Sequence, residues 1–519
     1  MIFLFIVLSF KLFFVFLVFL LLYILLTQLI HYKLKYLHKS TFKNIKTISF
    51  IHPFCSDCGG GEKVLWRMIA SIISSNNLQT NQKLKINIIS GRNDNVKDLI
   101  KKLKDRFGIE LRSDYQNDNN YDDDNLSNDD SYNNNQNFFS QINNNKNNLL
   151  IEGIELISMR SGYMLRPQNF LTMFLQILGQ IYFGLEIITK VYSDVYCDTT
   201  GLPFCYFVLK FLGHAKVSAY THYPFISYDM ISQVEKNQSG VHSQGKLSKN
   251  KYVRKVKLFY YKLILKLYEI MGNKCLSFAY ANSTWTFNHL NKLWRELYNN
   301  QKLFILYPPC SISLYKEAAK NDNRQNIIVS FAQFRPEKRQ DLQILILKEL
   351  RDRLSKYGIN DLELHIIGGV RNKSDQEILD NLVKYAQKLG VQDYVKFIPN
   401  GKTSQILEEF AQAKIGIHTM KYEHFGITLI EMMAAGLIIV THNSAGAKDD
   451  ILVNDEETNC HPGFLVETEE DYVNQIEEIL VKYYEIKNQI VNSSTKRAEK
   501  FSDDAFKKQF LEQFNDFLL

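Results

Sequence analysis

The sequence predicts an α/β protein of two doubly wound, parallel-sheet domains facing across a cleft, behind an N-terminal transmembrane helix. Three observations carry that prediction. Short β-branched runs alternate with helical patterns twice along the 519 residues, and the prolines Pro308 and Pro309 stand between the two series. The first strand of each series runs into a loop suited to ligands, glycine-rich in one case and basic in the other. Leu12–Ile30 is an almost unbroken apolar run, long enough to cross a bilayer core of about 30 Å as a helix.

The apolar run fits a secretory signal poorly, because no positive cluster precedes it and no small-residue cleavage site follows. Lys33, Lys35, Lys39, Lys43 and Lys46 follow it, against Lys11 alone before it. The positive-inside rule then places the bulk of the chain in the cytosol, anchored by residues 1–40 with a span of about 12–30. An N-terminal domain is expected over 41–305. Asn44–Cys55 reads as a buried strand, Gly59–Ile73 as a glycine loop opening a helix, and Leu84–Gly91 as a second strand. Asp114–Asn148 collapses into Asn, Asp and Ser, with too little apolar surface to order itself, and reads as a disordered insertion. Its Asp122–Asp124 run is a solvated stretch, not a metal site.

Phe170–Ile188 is apolar but interrupted by Gln176, Gln180 and Glu186, which favours a buried or interfacial helix over a second span. Strand-and-loop patterns follow at 194–204 and 215–227, then a polar, basic loop over 236–257 and a helix over 258–272. Residues 275–294 read as strand, cap and helix. Past Ile305–Cys310 the alternation restarts. Residues 326–334, 362–369, 394–400, 413–420 and 436–443 are five strand candidates of a C-terminal domain over 306–490. Residues 491–519 are expected to pack back on the body as a helix.

A net charge of +7 is modest for this length, and no dense Lys/Arg block marks a nucleic-acid footprint. Seven scattered cysteines form no disulfide framework and fit a reducing compartment. Cys55 and Cys58 have redox spacing, but the triple glycine behind them points to different work.

The chemistry is sought first in Tyr422–Gly436, which holds Glu423 and Glu431 eight positions apart. Along one helix that spacing gives about 12 Å. Glycosidase carboxylates share one bond at roughly 5–9.5 Å, so the two acids do not fit an acid/base pair. They fit the two ends of one elongated ligand with vicinal hydroxyls at both ends, such as a nucleotide diphosphate sugar. Gly59, Gly60 and Gly61 let backbone approach a ligand closely, without the ending of a P-loop or the spacing of a dinucleotide fingerprint. Arg335, Lys338 and Arg339 follow the first strand of the second series, where cations stabilise a leaving diphosphate. His222 stands at a strand end in the first domain. Taken singly, each has a plain alternative: solvated helix acids, a basic turn, a structural histidine.

Together the motifs carry a resemblance. The pair Glu423/Glu431 resembles the E-x7-E signature of a large retaining family of GT-B glycosyltransferases. The stretches "FIHPFCSDCGGGEKVLW", "YTHYPFIS", "NSTWT", "LYPPC", "AQFRPEK", "YEHFGI" and "EMMAAGLIIVTHNSAGAKDDI" more narrowly resemble the GDP-mannose α-1,2-mannosyltransferases of the asparagine-linked glycosylation pathway. The likeness spans nearly the whole chain outside the Asn-rich insertion. It implies addition of the fourth and fifth mannoses to a dolichyl-diphosphate-linked oligosaccharide, on the cytosolic face of the endoplasmic reticulum.

Residue by residue, the resemblance implies that Glu431 holds the donor ribose and Glu423 contacts the transferred sugar. Lys338 meets the donor diphosphate. Gln333 occupies the place of an arginine common in the wider superfamily, and Arg335, two residues later, takes that role in the narrower "FRPEK" pattern. Gly59, Gly60, Gly61, Phe425, Gly426 and Ile427 fall on the donor side, and His222 near the reacting sugar. Ala447 replaces a usual proline, which bears on the rigidity of its loop. No metal or other cofactor is expected, since the leaving phosphate itself takes the acceptor proton. The implied partners are GDP-mannose, dolichyl-diphosphate oligosaccharide, the endoplasmic reticulum membrane and other cytosolic-face mannosyltransferases, with no nucleic acid. A sister α-1,3/α-1,6-mannosyltransferase and a catalytically dead scaffold share much of this pattern. "NST" at Asn282 and "NSS" at Asn492 are sequons that a cytosolic body leaves unmodified.

Overall fold

The computed structural model describes residues 2–42, 45–57, 59–74, 83–109, 136–138, 151–166, 172–235, 251–454 and 461–518. The chain divides into two compact units, Met1–Tyr280 with His289–Phe304, and Ala281–Asn288 with Ile305–Leu519.

The first unit holds the strands β1 (Ile45–Ile51), β2 (Lys83–Ser90), β3 (Gln136–Phe138), β4 (Ile151–Ser158), β5 (Val195–Asp198), β6 (Lys216–Thr221), β7 (Phe278–Ala281) and β8 (Leu303–Ile305). Their order in the sheet is β3-β4-β2-β1-β5-β6-β7-β8. β1 pairs in parallel with both β2 and β5, so the order reverses direction beside β1, where ligands bind in open α/β sheets. Isoleucine and phenylalanine fill β1 on both faces, as a strand covered by helices on both sides requires: Ile48, Phe50 and Ile51 are wholly buried. Within Asp114–Asn148, expected to be a disordered insertion, Gln136–Phe138 form an antiparallel edge strand on β4; the rest lies outside the described residues.

One continuous helix covers Ile2–Thr41 and so extends past the expected 12–30 span at both ends. Its C-terminal part is seated on the first unit. Thr27 and His31 are buried, Gln28 Nε2 donates to the Leu212 carbonyl at 2.9 Å, and His31 Nδ1 lies 2.9 Å from the Ile188 carbonyl. The Thr172–Lys190 helix packs beside it and is long and apolar enough to cross a membrane by length and composition. It buries Ile177, Gln180, Phe183, Ile187 and Ile188 and leaves Phe174, Leu178 and Ile181 exposed. The basic stretch read as loop to Lys257 is helical from Lys251, in one helix that runs to Cys275.

The second unit has β9 (Gln325–Phe331), β10 (Glu363–Gly368), β11 (Val395–Pro399), β12 (Ala413–His418), β13 (Ile438–His442) and β14 (Phe464–Val466), in the order β11-β10-β9-β12-β13-β14. All its pairings are parallel. Alternate residues feed two cores: Ile328, Ile366, Ile415 and Val440 on one face, Ile327, Val329, Ile367 and Ile439 on the other. β14, three residues long, was not among the five strand candidates. In the C-terminal Asp503–Leu518 helix, Phe506, Phe510 and Phe514 are buried at four-residue spacing and stack on one another.

Candidate active site

In the second unit the strand order reverses between β9 and β12, and the candidate residues follow the carboxyl ends of those two strands. Past β9 the chain makes a single 3-10 turn at Pro336–Lys338, then begins the Gln340–Leu354 helix. Past β12 it runs through Glu423 into a short helix, Ile427–Ala434. Only Glu431 is therefore on that helix. Glu423 lies in the preceding loop, so the spacing of about 12 Å along one axis does not describe the pair.

Lys338 and Glu423 meet, Nζ to Oε2 at 2.5 Å, with their side chains 17% and 15% exposed. The same Oε2 lies 3.0 Å from His418 Nε2. Burial alone would raise the Glu423 carboxyl, but the His418 hydrogen bond and the Lys338 charge outweigh it and hold the acid well below the usual range. Burial lowers the His418 ring despite its carboxylate neighbour. A neutral His418 thus donates Nε2–H to an ionised Glu423.

The surroundings fix both partners. Thr419 Oγ1 lies 2.8 Å from the Lys338 carbonyl and 3.0 Å from that of Arg339, and it accepts from Gln343 Nε2 at 2.9 Å. The buried Tyr472 hydroxyl donates to the His418 carbonyl at 2.8 Å. Gly426 has φ +106, a conformation reserved for glycine, and a Cβ there would lie 2.9 Å from Leu429 Cδ1 and 3.4 Å from Glu423 Cγ. Six described non-glycine residues have positive φ, and three of them, Arg339, Tyr422 and Ala445, flank this cluster. Each costs about 1–3 kcal/mol, a cost that proteins concentrate at functional sites.

The other expected residues fall as follows. Glu431 is half-buried with Tyr315 beside it; burial and the Glu431 carboxylate push the Tyr315 phenol well above its ordinary value, so it stays protonated and donates. Arg335 pairs with Glu337 of its own turn at 3.7 Å. Phe425 is buried, its ring stacked on Tyr307 at 5.5 Å, and its backbone passes so close to Gly446 that a Cβ there would lie 2.6 Å from the Phe425 Cα. His424 stacks on Trp285 at 5.2 Å, joining the "NSTWT" and "YEHFGI" stretches in this unit.

In the first unit, His52, Thr199 and His222 follow the ends of the neighbouring strands β1, β5 and β6. His222 Nε2 lies 3.2 Å from the Thr199 carbonyl, and a Cβ on Gly61 would stand 3.3 Å from that same nitrogen. The glycine loop and His222 are thus brought together, and any side chain at position 61 would crowd the imidazole. Glu62 accepts from the Gly59 amide at 2.8 Å and lies 3.4 Å from His52 Nε2. Burial opposes its ionisation, but the His52 bond and the Gly59 amide outweigh that and lower it. Asp198 accepts from the amides of Thr200, Gly201 and Leu202 and from Tyr206, which shapes the loop carrying Thr199. Cys55 is buried, and burial with the neighbouring Asp94 charge pushes its thiol far up, opposite to a redox thiolate.

His418, Tyr315, His52 and Glu62 were not singled out from the sequence. The available signal was position: His418 and His52 stand at or just past the last residue of a strand beside a strand-order reversal, which is invisible before the order is known.

A family model described as the ALG11 mannosyltransferase N-terminus matches residues 45–118 and 115–294, and one for glycosyl transferases group 1 matches 312–497. The human protein named GDP-Man:Man(3)GlcNAc(2)-PP-Dol alpha-1,2-mannosyltransferase is 33% identical over 476 residues, 90% of this chain and 86% of its own length. The Dictyostelium discoideum protein of the same name is 31% identical over 92% of this chain and 86% of its own. Among solved structures, Anabaena Alr3699/HepE in complex with UDP and glucose has a TM-score of 0.56 at 15% identity, covering 90% of this chain and 98% of its own. Sucrose-phosphate synthase from Thermosynechococcus elongatus also has a TM-score of 0.56, at 13% identity, covering 91% and 99%. At such identities these structures speak for the fold alone.

Proposed function

The chain belongs to the ALG11 mannosyltransferase family, and from this membership we propose the reaction, the residue roles and the membrane placement that follow. It is a GT-B glycosyltransferase that moves mannose from GDP-mannose to the dolichyl-diphosphate-linked Man(3)GlcNAc(2) oligosaccharide in α-1,2 linkage. The observation that carries this reading is the extent of the likeness, about a third identical through both units to relatives of one shared name.

The α-linked donor and the α-linked product make the transfer a retaining one. The bond from the anomeric carbon to the β-phosphate oxygen breaks, and a bond from that carbon to the acceptor 2-hydroxyl oxygen forms on the same face. The acceptor proton passes to the departing phosphate, and GDP leaves. Lys338, with Arg335, neutralises the diphosphate as its charge grows, helped by the N-terminus of the Ile427–Ala434 helix, at which the Gly426 and Ile427 backbone stands. Glu423, kept ionised and oriented by His418, accepts hydroxyls of the transferred mannose. Glu431, oriented by Tyr315, accepts the ribose hydroxyls. Gly59, Gly60, Gly61 and His222 handle the sugar in the first unit.

These side chains supply the needed positive charge, so transfer proceeds in EDTA. A screen of GDP-mannose, UDP-GlcNAc and UDP-glucose tests both points. Turnover with GDP-mannose alone and unchanged by EDTA is expected; preference for a UDP-sugar, or dependence on Mg²⁺ or Mn²⁺, would count against the scheme.

The N-terminal helix is a single membrane span at the endoplasmic reticulum, and the body is cytosolic, with the GDP-mannose and beside other cytosolic-face mannosyltransferases. The lysine asymmetry around 12–30 and five free, buried cysteines support this placement. Of the two sequons, Asn282 is 5% exposed with Oδ1 accepting from Ser283, a place in the fold with no room for a glycan. Asn492 is exposed on the Tyr483–Glu499 helix and is the informative site. Endoglycosidase should leave the protein's mobility unchanged, and protease outside sealed microsomes should digest the body. A glycan on Asn492 would place the body in the lumen.

A further inference from the structure

Glu431 and Tyr315, the pair assigned to the donor ribose, stand on two separate pieces of chain. Glu431 is on the Ile427–Ala434 helix, while Tyr315 ends the Ile312–Leu314 turn and starts the short Lys316–Ala319 helix. A third residue, Arg324, bridges the two. It immediately precedes β9 and is only 8% exposed, yet no carboxylate among the described residues hydrogen-bonds it. Its Nη1 donates to the carbonyls of Phe410 at 2.8 Å and Ala413 at 2.6 Å. Its Nη2 donates to those of Ala318 at 3.0 Å and Ala435 at 2.7 Å. The four terminal N–H groups thus meet four carbonyls at or beside the C-terminal ends of three helices. Carbonyls there lack helical partners and carry partial negative charge, which offsets the buried cation.

The two Nη2 bonds span the joint between the ribose residues. Ala435 lies one turn past Glu431, and its amide donates to the Glu431 carbonyl at 3.1 Å. The Ala318 amide donates in the same way to the Tyr315 carbonyl at 3.1 Å. One nitrogen therefore ties the Glu431 helix to the Tyr315 turn, with one backbone bond between it and each residue. On the Nη1 side, the Phe410 ring lies against that of Tyr315, centroids 5.6 Å apart. Gly436 lets the joint close: its φ is +79, and a Cβ there would stand 3.0 Å from Arg324 Nη2 and 3.2 Å from Ala319 Cα. Core packing decides which face the Glu431 helix presents. Arg324 decides how far the end of that helix stands from Tyr315.

We propose that Arg324 is a positioning residue for donor binding, setting the separation of Tyr315 and Glu431 at which the carboxylate receives both the phenol and the ribose hydroxyls. It acts through these two residues and not on the nucleotide. The planar fork of the guanidinium is essential to that role. Lysine offers three N–H groups from one point and cannot serve four carbonyls spread over two nitrogens. The proposal rests on the reading of Glu431 as the acceptor of the ribose hydroxyls.

Calorimetric titration of the full chain with GDP over a double-mutant cycle tests this, because coupled residues give non-additive losses. Arg324→Lys should raise the Kd for GDP about 5-fold by itself, and by less than about 2-fold when Glu431→Ala is already present. In turnover, the KM for GDP-mannose should rise with that Kd, while kcat at saturating donor and the KM for acceptor stay unchanged. An arginine that only held the fold together would lower the melting temperature and leave the two losses additive. Gly436→Ala disturbs the same joint from the other side and should show the same coupling, so the cycle does not depend on how well Arg324→Lys folds. Equal losses with and without Glu431, or wild-type affinity in both Arg324→Lys and Gly436→Ala, would overturn the proposal. Wild-type affinity in Glu431→Ala alone would overturn the ribose reading itself, and the proposal with it.

Discussion

Lys338→Met should lower kcat by about 10²–10³-fold, the cost of removing one fixed donor from the place where transition-state charge develops. The prediction is specific because the site holds the residue at both ends. Thr419 braces the Lys338 main chain, which the substitution leaves in place, and Glu423 holds the Nζ. The donor-free site thus keeps its cation positioned, and an arriving diphosphate competes with one carboxylate for it. The lost ion pair also carries a stability cost of up to roughly 3–5 kcal/mol, the range for stripping one partner from a buried pair. Thermal unfolding separates that cost from catalysis, and His418 Nε2 still donates to Glu423 in the variant. The pair is intact at assay pH: the folded Glu423 pKa is depressed, so its contribution is complete above the unfolded value of about 4.3 and is lost only as pH falls below it. A stable Lys338→Met protein with nearly wild-type kcat would remove Lys338 from the diphosphate.

Glu431→Ala should weaken GDP-mannose binding by roughly 1.5–3 kcal/mol, the worth of hydrogen bonds to a charged acceptor, which is about 10–150-fold in Kd. The helix that carries Glu431 packs Leu429, Ile430, Met432 and Met433 into the core, so its register is fixed without the acid. Tyr315→Phe removes one neutral donor to that carboxylate and should cost only about 0.5–1.5 kcal/mol of donor affinity. Calorimetric titration with GDP reads both. A Glu431→Ala Kd equal to wild type would show that the acid does not hold the nucleotide, and a larger loss in Tyr315→Phe would reverse the assigned order.

Both units were largely legible because their central strands are short β-branched runs bounded by turns: Ile45–Ile51 and Ala413–His418 fell inside expected strands, and Gln325–Phe331 began one residue before its expected start. The strands missed lack that signature. Ile151–Ser158 breaks its apolar run with Glu152, Gly153 and Glu155, and follows the Asn-rich segment; Phe464–Val466 is only three residues long. The basic residues Lys251, Arg254, Lys255 and Lys257 disguised the start of a helix, because the helical backbone runs through them regardless of their charge. In the site, residue types and loops were readable, but pairings were not. That Lys338 contacts Glu423, 85 residues away, follows from β9 and β12 being neighbours, a fact of strand order. The placement of Glu423 before the Ile427–Ala434 helix turned on Gly426, whose left-handed conformation starts the helix later than periodicity suggests.

The most direct test of the assignment is the linkage made by the purified full-length protein in vesicles, given radiolabelled GDP-mannose and a lipid-linked three-mannose acceptor. The product is released from the lipid and digested with a mannosidase specific for α-1,2 bonds. The account predicts an elongated oligosaccharide from which that enzyme removes all transferred label, restoring the starting acceptor. Label that resists it and yields only to an α-1,3- or α-1,6-specific mannosidase would contradict the assignment.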